Sequence, residues 1–151
     1  MELEEIKEKL IKCQIDYEII YHTVAIKSKQ DAIGLFNIEE TAPTLILKTD
    51  LGFYKFIISG EREKIDFKAL RGLLGCKKLE MAKREEIVEM FGVEAGQVPM
   101  IGLDLPCIID KILFKHNHIY GGTGNWNYTL KISPNDLIKA NNVILQIDWK
   151  K

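Results

Sequence analysis

The segment from Gly92 to Pro99 constrains this chain more than any other stretch, because two glycines and a proline fall within eight residues. Glycine permits positive φ angles and lets another backbone or a ligand approach closely. Pro99 fixes its own φ angle and biases Val98 toward an extended conformation. A second glycine-rich segment, residues 121–124, follows about one hairpin downstream. The two segments predict either two ordinary turns or one pocket lined by backbone amides, which would suit a polar ligand or a developing oxyanion.

Length and composition predict a single domain over residues 1–151. The chain has 151 residues, of which 46% are hydrophobic, and a formal net charge of −1. A surface that coats nucleic acid broadly would be strongly basic, so only a local contact is compatible with this charge. No apolar run approaches the roughly 18 residues of a membrane span, and three scattered cysteines predict reduced, mostly buried thiols. We therefore expect a cytoplasmic protein with no membrane contact.

The order of predicted elements favours an α+β fold over a doubly wound sheet. Hydrophobic residues at helical spacing predict a first helix from Leu3. Residues 44–48 and 53–58 flank turn residues in the manner of a β-hairpin. Regular β-α-β alternation is absent, and seven or more strands are expected in a short chain. We therefore predict a curved, mixed but mainly antiparallel, barrel-like sheet surrounded by short helices.

Cap and stop signals predict further boundaries. Ser28 and Asp31 match a capping box, and Asp66 is placed to cap a helix that stops near Gly75. Ser133 before a proline is typical of an N-cap followed by the first helical residue. Further strands are predicted over 17–22, 78–82, 106–114 (one strand, or two around a kink), 119–120, 128–132 and 143–147, and further helices over 85–91 and from the Ser133 cap to about 140.

The residues offer no strong nucleophile, general base or metal-binding set. Walker, dinucleotide-binding and nucleophile-elbow motifs are absent, and His116 and His118 lack further ligands at metal-binding spacing. Cys107 is expected to be a buried thiol, and His22 either caps a strand end or forms a pocket wall. An enzyme with this inventory would depend on shape and backbone amides, which suffice for hydrolysis of an activated ester. We expect no metal and no cofactor.

Five short motifs occur in order along the chain: Thr44–Leu47, Leu74–Ala82, Phe91–Pro99, Ile109–Asp110 and Thr129–Leu137. They are similar, respectively, to a K-T-L strand, an L-G-x-K-K-L-x-x-A segment, a G-x-x-x-G-x-x-P loop, a V-D strand start and a strand-to-helix junction. In this order they resemble the YbaK/prolyl-tRNA synthetase-associated editing domains, which are free-standing or inserted aminoacyl-tRNA deacylases. The resemblance extends over nearly the whole chain.

The resemblance implies trans hydrolysis of a wrong amino acid from a tRNA 3′ end, most often that of proline tRNA. Gly96 would be the catalytic loop residue, and its loop would hold the aminoacyl carbonyl and the terminal ribose. Amides would stabilise the oxyanion while water or a substrate group attacks, and pocket size would select the amino acid. The residues that the resemblance assigns to substrate binding are His22, Thr44, Gly96, Val98, Pro99, Asp110, Gly122, Asn127 and Thr129.

One position departs from the family pattern. Pro43 stands where the family usually has a lysine. Lys48 on the same strand is one candidate substitute, but it follows Pro43 by five residues and should lie on the opposite face, since alternate residues of a strand share a face. Lys55 on the partner strand is the other candidate substitute. Asn127 or Thr129 falls closest to a later polar site residue of the family. The alternative to an active deacylase is therefore a binding or regulatory module with impaired catalysis.

The expected partner is the 3′ end of an aminoacyl-tRNA. Lys27, Lys29, Lys83 and Arg84 are candidates for phosphate contacts at the pocket mouth, with solvated surface side chains as the equal alternative. An aminoacyl-tRNA synthetase is a second candidate partner, and we expect a monomer or a weak dimer.

Overall fold

The computed structural model describes residues 2–27 and 29–148, and nothing in that part of the chain forms a helix long and apolar enough to cross a membrane. The α-helices are Leu3–Lys12 (α1), Lys29–Ile33 (α2), Phe67–Leu74 (α3), Arg84–Phe91 (α4) and Asp136–Ala140 (α5). The strands are Glu18–Tyr21 (β1), Thr44–Thr49 (β2), Gly52–Ile57 (β3), Leu79–Met81 (β4), Pro106–Asp110 (β5), Ile119–Gly121 (β6), Tyr128–Ile132 (β7) and Asn142–Ile147 (β8). Short 3₁₀ helices cover Ile38–Glu40, Ala95–Gln97 and Lys111–Lys115.

The strands form two sheets, and the predicted α+β class is confirmed. The three-stranded sheet has the order β1-β7-β6 and is antiparallel throughout. The five-stranded sheet has the order β4-β2-β3-β5-β8, with β2 antiparallel to its neighbours and β5 parallel to both of its own. An isolated bridge between Thr41 and Tyr120 connects the approach to β2 with β6. This bridge brings the start of β2 beside the three-stranded sheet.

The largest buried cluster joins residues of both sheets with two helices. Ile6 and Leu10 of α1 belong to it, together with Ile109 of β5, Leu130 of β7 and Leu137 of α5. Burial of an aliphatic side chain of this size contributes about 1.5–3 kcal/mol. The first helix is therefore held by its apolar face, since an isolated helix of this length is marginal in water.

A separate cluster fixes the Gly92–Pro99 segment against the five-stranded sheet. Ile46 of β2 belongs to this cluster with Val93 and Val98. Gly92 ends α4 with a φ of 70°, in the left-handed conformation that glycine adopts at low cost. The chain therefore leaves α4 sharply, and its packing brings the glycine loop back to the start of β2.

Several local predictions are confirmed by hydrogen bonds. The hairpin pairs β2 with β3 around residues 50 and 51. The Asp66 side chain accepts a hydrogen bond of 3.0 Å from the Ala69 N–H at the start of α3. Gly75 ends that helix with a φ of 69°. The capping box at Ser28 lies outside the described residues.

Two predicted boundaries are wrong. The 106–114 segment is a strand only as far as Asp110, whose side chain accepts from the Ile112 N–H at 3.3 Å and begins a 3₁₀ helix. The last helix begins at Asp136, because the Ser133 carbonyl accepts from the Asp136 N–H in a turn that precedes the helix. In both places a local turn ends or delays the element that hydrophobic patterning alone predicts.

Candidate functional site

A cavity of about 400 Å³ is lined by residues of both sheets. Its walls include the start of β2, the 58–65 segment that follows β3, the glycine loop at 95–98 and the second glycine segment at 121–122. Apolar side chains form much of the lining, and ligand pockets typically have about this volume and character. Of the residues that the sequence assigns to substrate binding, those that line the cavity are Thr44, Gly96, Val98, Gly122 and Thr129.

The two glycine segments pack directly against their surroundings. A Cβ atom at Gly122 would lie 2.6 Å from the Val98 carbonyl oxygen, and the Gly122 carbonyl accepts a 3.1 Å hydrogen bond from the Met100 N–H. A Cβ atom at Gly96 would lie 3.2 Å from the Lys27 carbonyl oxygen and 3.3 Å from the Trp126 ring. Close approach at one cavity wall therefore requires glycine at position 122, and it leaves little space for a side chain at position 96.

Two polar side chains in the wall contain an atom without a hydrogen-bond partner among the described residues. Thr44 and Gln97 are only 5% and 6% exposed, and the unpartnered atoms are Thr44 Oγ1 and Gln97 Oε1. The other end of the Gln97 amide donates from Nε2 to the Ile26 carbonyl at 2.9 Å. Sequence reasoning missed Gln97, although its position beside Gly96 in the loop marks it as a candidate.

His22 and Asn127 lie behind the cavity wall and do not line the cavity. His22 Nδ1 lies 2.7 Å from the Val24 carbonyl, which can only accept, so Nδ1 carries a proton. His22 Nε2 lies 3.0 Å from Oγ1 of the cavity residue Thr129. Asn127 Nδ2 donates to the His22 carbonyl at 3.0 Å. These bonds hold the Thr129 side chain in a defined orientation at the cavity.

Asp110 also lies outside the cavity, but it positions an arginine that lines the wall. The Arg62 guanidinium donates from Nε to Asp110 Oδ2 at 2.9 Å and from Nη2 to Oδ1 at 3.0 Å. The Ser59 N–H donates to the same carboxylate at 3.1 Å. Pro99 is buried and likewise does not line the cavity. Sequence reasoning missed Arg62, because its partner lies 48 residues away.

Neither candidate substitute for the missing lysine lies in the cavity, although Pro43 itself lines it. Lys48 forms a 2.6 Å ion pair with Glu86, and the Glu86 hydrogen bond raises the pKa of Lys48. Lys55 is fully buried, and its ammonium donates to the Leu103 carbonyl at 3.1 Å and to Asn141 Oδ1. Burial lowers the pKa of Lys55 to about 8. Both ammonium groups are therefore engaged in other parts of the fold.

Cations surround part of the cavity mouth. Lys27 lines the cavity, with its Nζ 5.7 Å from the centre of the Trp126 ring, and the exposed Lys64 lines the opposite 58–65 wall. Lys83 and Arg84 do not line the cavity, and the Lys29 side chain lies outside the described residues. Among the predicted phosphate contacts whose side chains are described, Lys27 lines the cavity and Lys83 and Arg84 do not.

The residues described by the structure include no group of three or more His, Cys, Asp or Glu side chains that could hold a metal ion. Cys107 is buried, and burial raises the pKa of its thiol to about 11. A thiol in this state is a poor nucleophile. The cavity can therefore offer hydrogen bonds, shape and positive charge to a ligand.

An α+β domain with a largely apolar cavity between its two sheets is suited to binding a small or terminal ligand group. Residues 22–140 match the model of the aminoacyl-tRNA editing domain, so this chain belongs to the aminoacyl-tRNA editing domain family. The resemblance found in the sequence motifs is thereby confirmed.

Similar proteins include proline–tRNA ligases. The chain is 31% identical over 116 residues to the ligase of Thermosipho africanus (strain TCF52B), a match that covers 73% of this chain and 20% of the ligase. A second match, to the ligase of Bacillus pumilus (strain SAFR-032), is 29% identical over 85 residues and covers 55% of this chain and 15% of the ligase. The chain thus spans about a fifth or less of the length of these curated relatives.

Two solved structures share the fold over nearly their full length. The hypothetical protein APE2540 has a TM-score of 0.86 at 24% identity, with 94% of this chain and 97% of that chain covered. A proposed trans-editing enzyme for prolyl tRNA synthetase has a TM-score of 0.83 at 19% identity, with 99% and 96% covered. At these identities the likeness concerns the fold.

Proposed function

We propose that this protein is an aminoacyl-tRNA deacylase that hydrolyses, in trans, the ester of a mischarged tRNA of the proline class in the cytoplasm. The observation that carries the proposal is the packing of the Gly96 loop and Gly122 at one cavity wall, where a Cβ atom would collide with the Val98 carbonyl at Gly122 and would be in tight contact with Lys27 and Trp126 at Gly96. Membership in the editing-domain family supports the ester as the substrate. Similarity to proline–tRNA ligases supports the choice of tRNA and makes a synthetase a candidate partner.

In the proposed reaction, the cavity supplies amides and shape. The aminoacyl carbonyl lies at the Gly96–Val98 loop, where the N–H groups of Gly96 and Val98 stabilise the oxyanion, while the Gln97 N–H donates to the Glu94 carbonyl at 2.9 Å. Water adds to the carbonyl carbon, the bond between that carbon and the ribose oxygen breaks, and the ribose oxygen takes up a proton. The products are the free amino acid and the tRNA with an intact 3′ end. The cationic residues Lys27 and Lys64 face the phosphates of the tRNA end.

The apolar part of the lining selects the amino acid by size. Its side chains include Phe36, Leu45 and Ile58. A single methylene difference in such a pocket changes the free energy of binding by about 1–3 kcal/mol. Amino acids that fill the cavity without collision are hydrolysed, and larger ones are excluded.

The decisive experiment incubates the purified protein with a panel of mischarged tRNAs and measures release of the amino acid. We expect release from at least one small mischarged amino acid. The Pro43→Lys variant tests the position that departs from the family pattern. The substitution should preserve the local backbone, because the Pro43 carbonyl accepts from the Ile58 N–H at 3.0 Å and a lysine at this position retains that carbonyl. The proposal would be overturned if the natural protein releases no amino acid from any tRNA while Pro43→Lys gains activity. That result would favour a binding module with impaired catalysis.

A further inference from the structure

Two buried polar atoms in the cavity wall are unpartnered in the described part of the chain: Thr44 Oγ1 and Gln97 Oε1. Both side chains are more than nine-tenths buried, and both line the cavity. The Gln97 amide has a defined orientation, because its Nε2 donates to the Ile26 carbonyl at 2.9 Å. Gln97 therefore presents an oxygen that can only accept a hydrogen bond.

A buried polar group without a partner is unfavourable, so a ligand that supplies the missing partner binds more tightly. The Gln97 oxygen requires a donor, and the Thr44 hydroxyl oxygen can also accept a hydrogen bond. The cations of the wall are engaged elsewhere or lie at the mouth: Arg62 binds Asp110, and Lys27 lies over Trp126. The missing donor is therefore expected to come from the ligand.

An aminoacyl ester contains one group with several charged donors, the α-ammonium, and its hydrogen bonds to neutral oxygens are stronger than those of a neutral hydroxyl. We infer that Gln97 Oε1 and Thr44 Oγ1 receive the α-ammonium group of the substrate, so that the protein selects esters with a free α-amino group and rejects N-acylated ones. This inference rests on the proposed function, since it assumes that an aminoacyl ester occupies the cavity. An N-acyl group removes the charge and two of the three donors, and it adds bulk beside two buried side chains.

Binding tests the inference without requiring catalysis. The probe is the alanyl amide of 3′-amino-3′-deoxyadenosine, which has no ester to hydrolyse, and the matched comparison is its N-acetyl form. Isothermal titration calorimetry should show that the free amine binds about ten- to a hundred-fold more tightly. Equal affinity for the two probes would overturn the inference. A third probe, the 2′-deoxy form of the alanyl amide, tests the ribose hydroxyl as the donor. If removal of this hydroxyl weakens binding while N-acetylation does not, the ribose hydroxyl is the missing donor and the inference is overturned.

Variants connect the selectivity to the two atoms. Gln97→Met removes the acceptor and should abolish the preference, whereas Gln97→Glu should retain it, and both variants lose the Ile26 hydrogen bond. Thr44→Val should weaken the preference, and Thr44→Ser should retain it. A preference that survives unchanged in both Gln97→Met and Thr44→Val would overturn the assignment. Thermal unfolding of each variant establishes that it is folded.

Hydrolysis separates this inference from the proposed function. Release from alanyl-tRNA and N-acetyl-alanyl-tRNA at equal rates would overturn the amine selectivity while supporting the deacylase. Preferential binding of the free-amine probe without release from any tRNA would support the amine site and count against the deacylase.

Discussion

The carboxylate of Asp110 and the guanidinium of Arg62 form a bidentate ion pair with N–O distances of 2.9 and 3.0 Å behind the cavity wall. Their side chains are 1% and 6% exposed, so the pair is almost entirely removed from water. The planar geometry gives two parallel charge-assisted hydrogen bonds. The Ser59 N–H binds the same carboxylate, so the pair also fixes the chain that follows β3.

Asp110→Asn is expected to destabilise the protein by about 3–5 kcal/mol, because it removes the carboxylate that binds the buried Arg62 guanidinium through two charge-assisted hydrogen bonds. Chemical denaturation measures this change. Glu4→Gln is the matched control, since it breaks the exposed Lys7–Glu4 pair and should cost about 1 kcal/mol or less. Equal small losses in the two variants would contradict the structural role of the buried pair.

Gly122→Ala is expected to cost about 1–3 kcal/mol, because the new Cβ atom would lie 2.6 Å from a backbone oxygen that cannot move independently. In Gly96→Ala the new Cβ atom would lie 3.2 Å from the Lys27 carbonyl oxygen and 3.3 Å from the Trp126 ring, contacts that small shifts can relieve. Because these shifts would alter the cavity wall, the deacylation rate should fall while the free energy of unfolding changes little. Gly72→Ala is the control: its site in α3 has open space, and alanine should stabilise that helix by about 0.5–1 kcal/mol. Thermal unfolding and release assays distinguish these outcomes, and full activity of Gly96→Ala would refute the assignment of this wall.

The buried Lys55 predicts that stability rises with pH above about 8. Burial lowers its pKa in the folded protein to about 8 from the ordinary value of 10.5, so between these values the unfolded chain binds more protons and unfolding becomes less favourable as pH rises. The gain from this group is lost as pH falls from 10.5 to about 8. Between pH 8 and pH 9 the free energy of unfolding should rise by about 1 kcal/mol relative to Lys55→Met.

The comparison between the natural protein and Lys55→Met is best made below pH 9. The Cys107 thiol opposes the effect of Lys55 from around pH 9 upward, because burial raises its pKa from 9.0 to about 11. Both proteins contain this thiol, so the comparison between them isolates the contribution of Lys55. Parallel stability curves for the two proteins over pH 8–9 would show that Lys55 titrates normally in the folded state.

Salt dependence tests the cations at the cavity mouth. Binding of a short RNA hairpin with a single-stranded CCA end, followed by fluorescence anisotropy, should weaken with salt by about 0.7 logarithmic units per phosphate contact and per tenfold increase in salt. Lys27→Ala and Lys64→Ala should each remove about one such contact. Lys83→Ala should leave the slope unchanged, since Lys83 does not line the cavity. A slope that changes only in Lys83→Ala would move the RNA contact away from this mouth.

Much of the local structure could be predicted from the sequence. The hairpin, the Asp66 cap and the helix ends at Gly75 and Gly92 follow from turn and cap chemistry within a few residues. The composition of the glycine loop predicted either an ordinary turn or a pocket wall, the family resemblance favoured the pocket wall, and Gly96 lines the cavity. These features depend on neighbouring residues, whose backbone preferences act over short separations.

The remaining parts of the site depend on residues that are far apart in the chain. Gln97 binds the carbonyl of Ile26, 71 residues earlier, and Arg62 binds Asp110, 48 residues later. The sequence by itself determined which residues can turn, cap and pack as helices or strands, and it identified the glycine loop. Only the tertiary structure decided which polar groups lie in the wall and which lysines are engaged elsewhere, because burial and pairing depend on segments that the fold brings together.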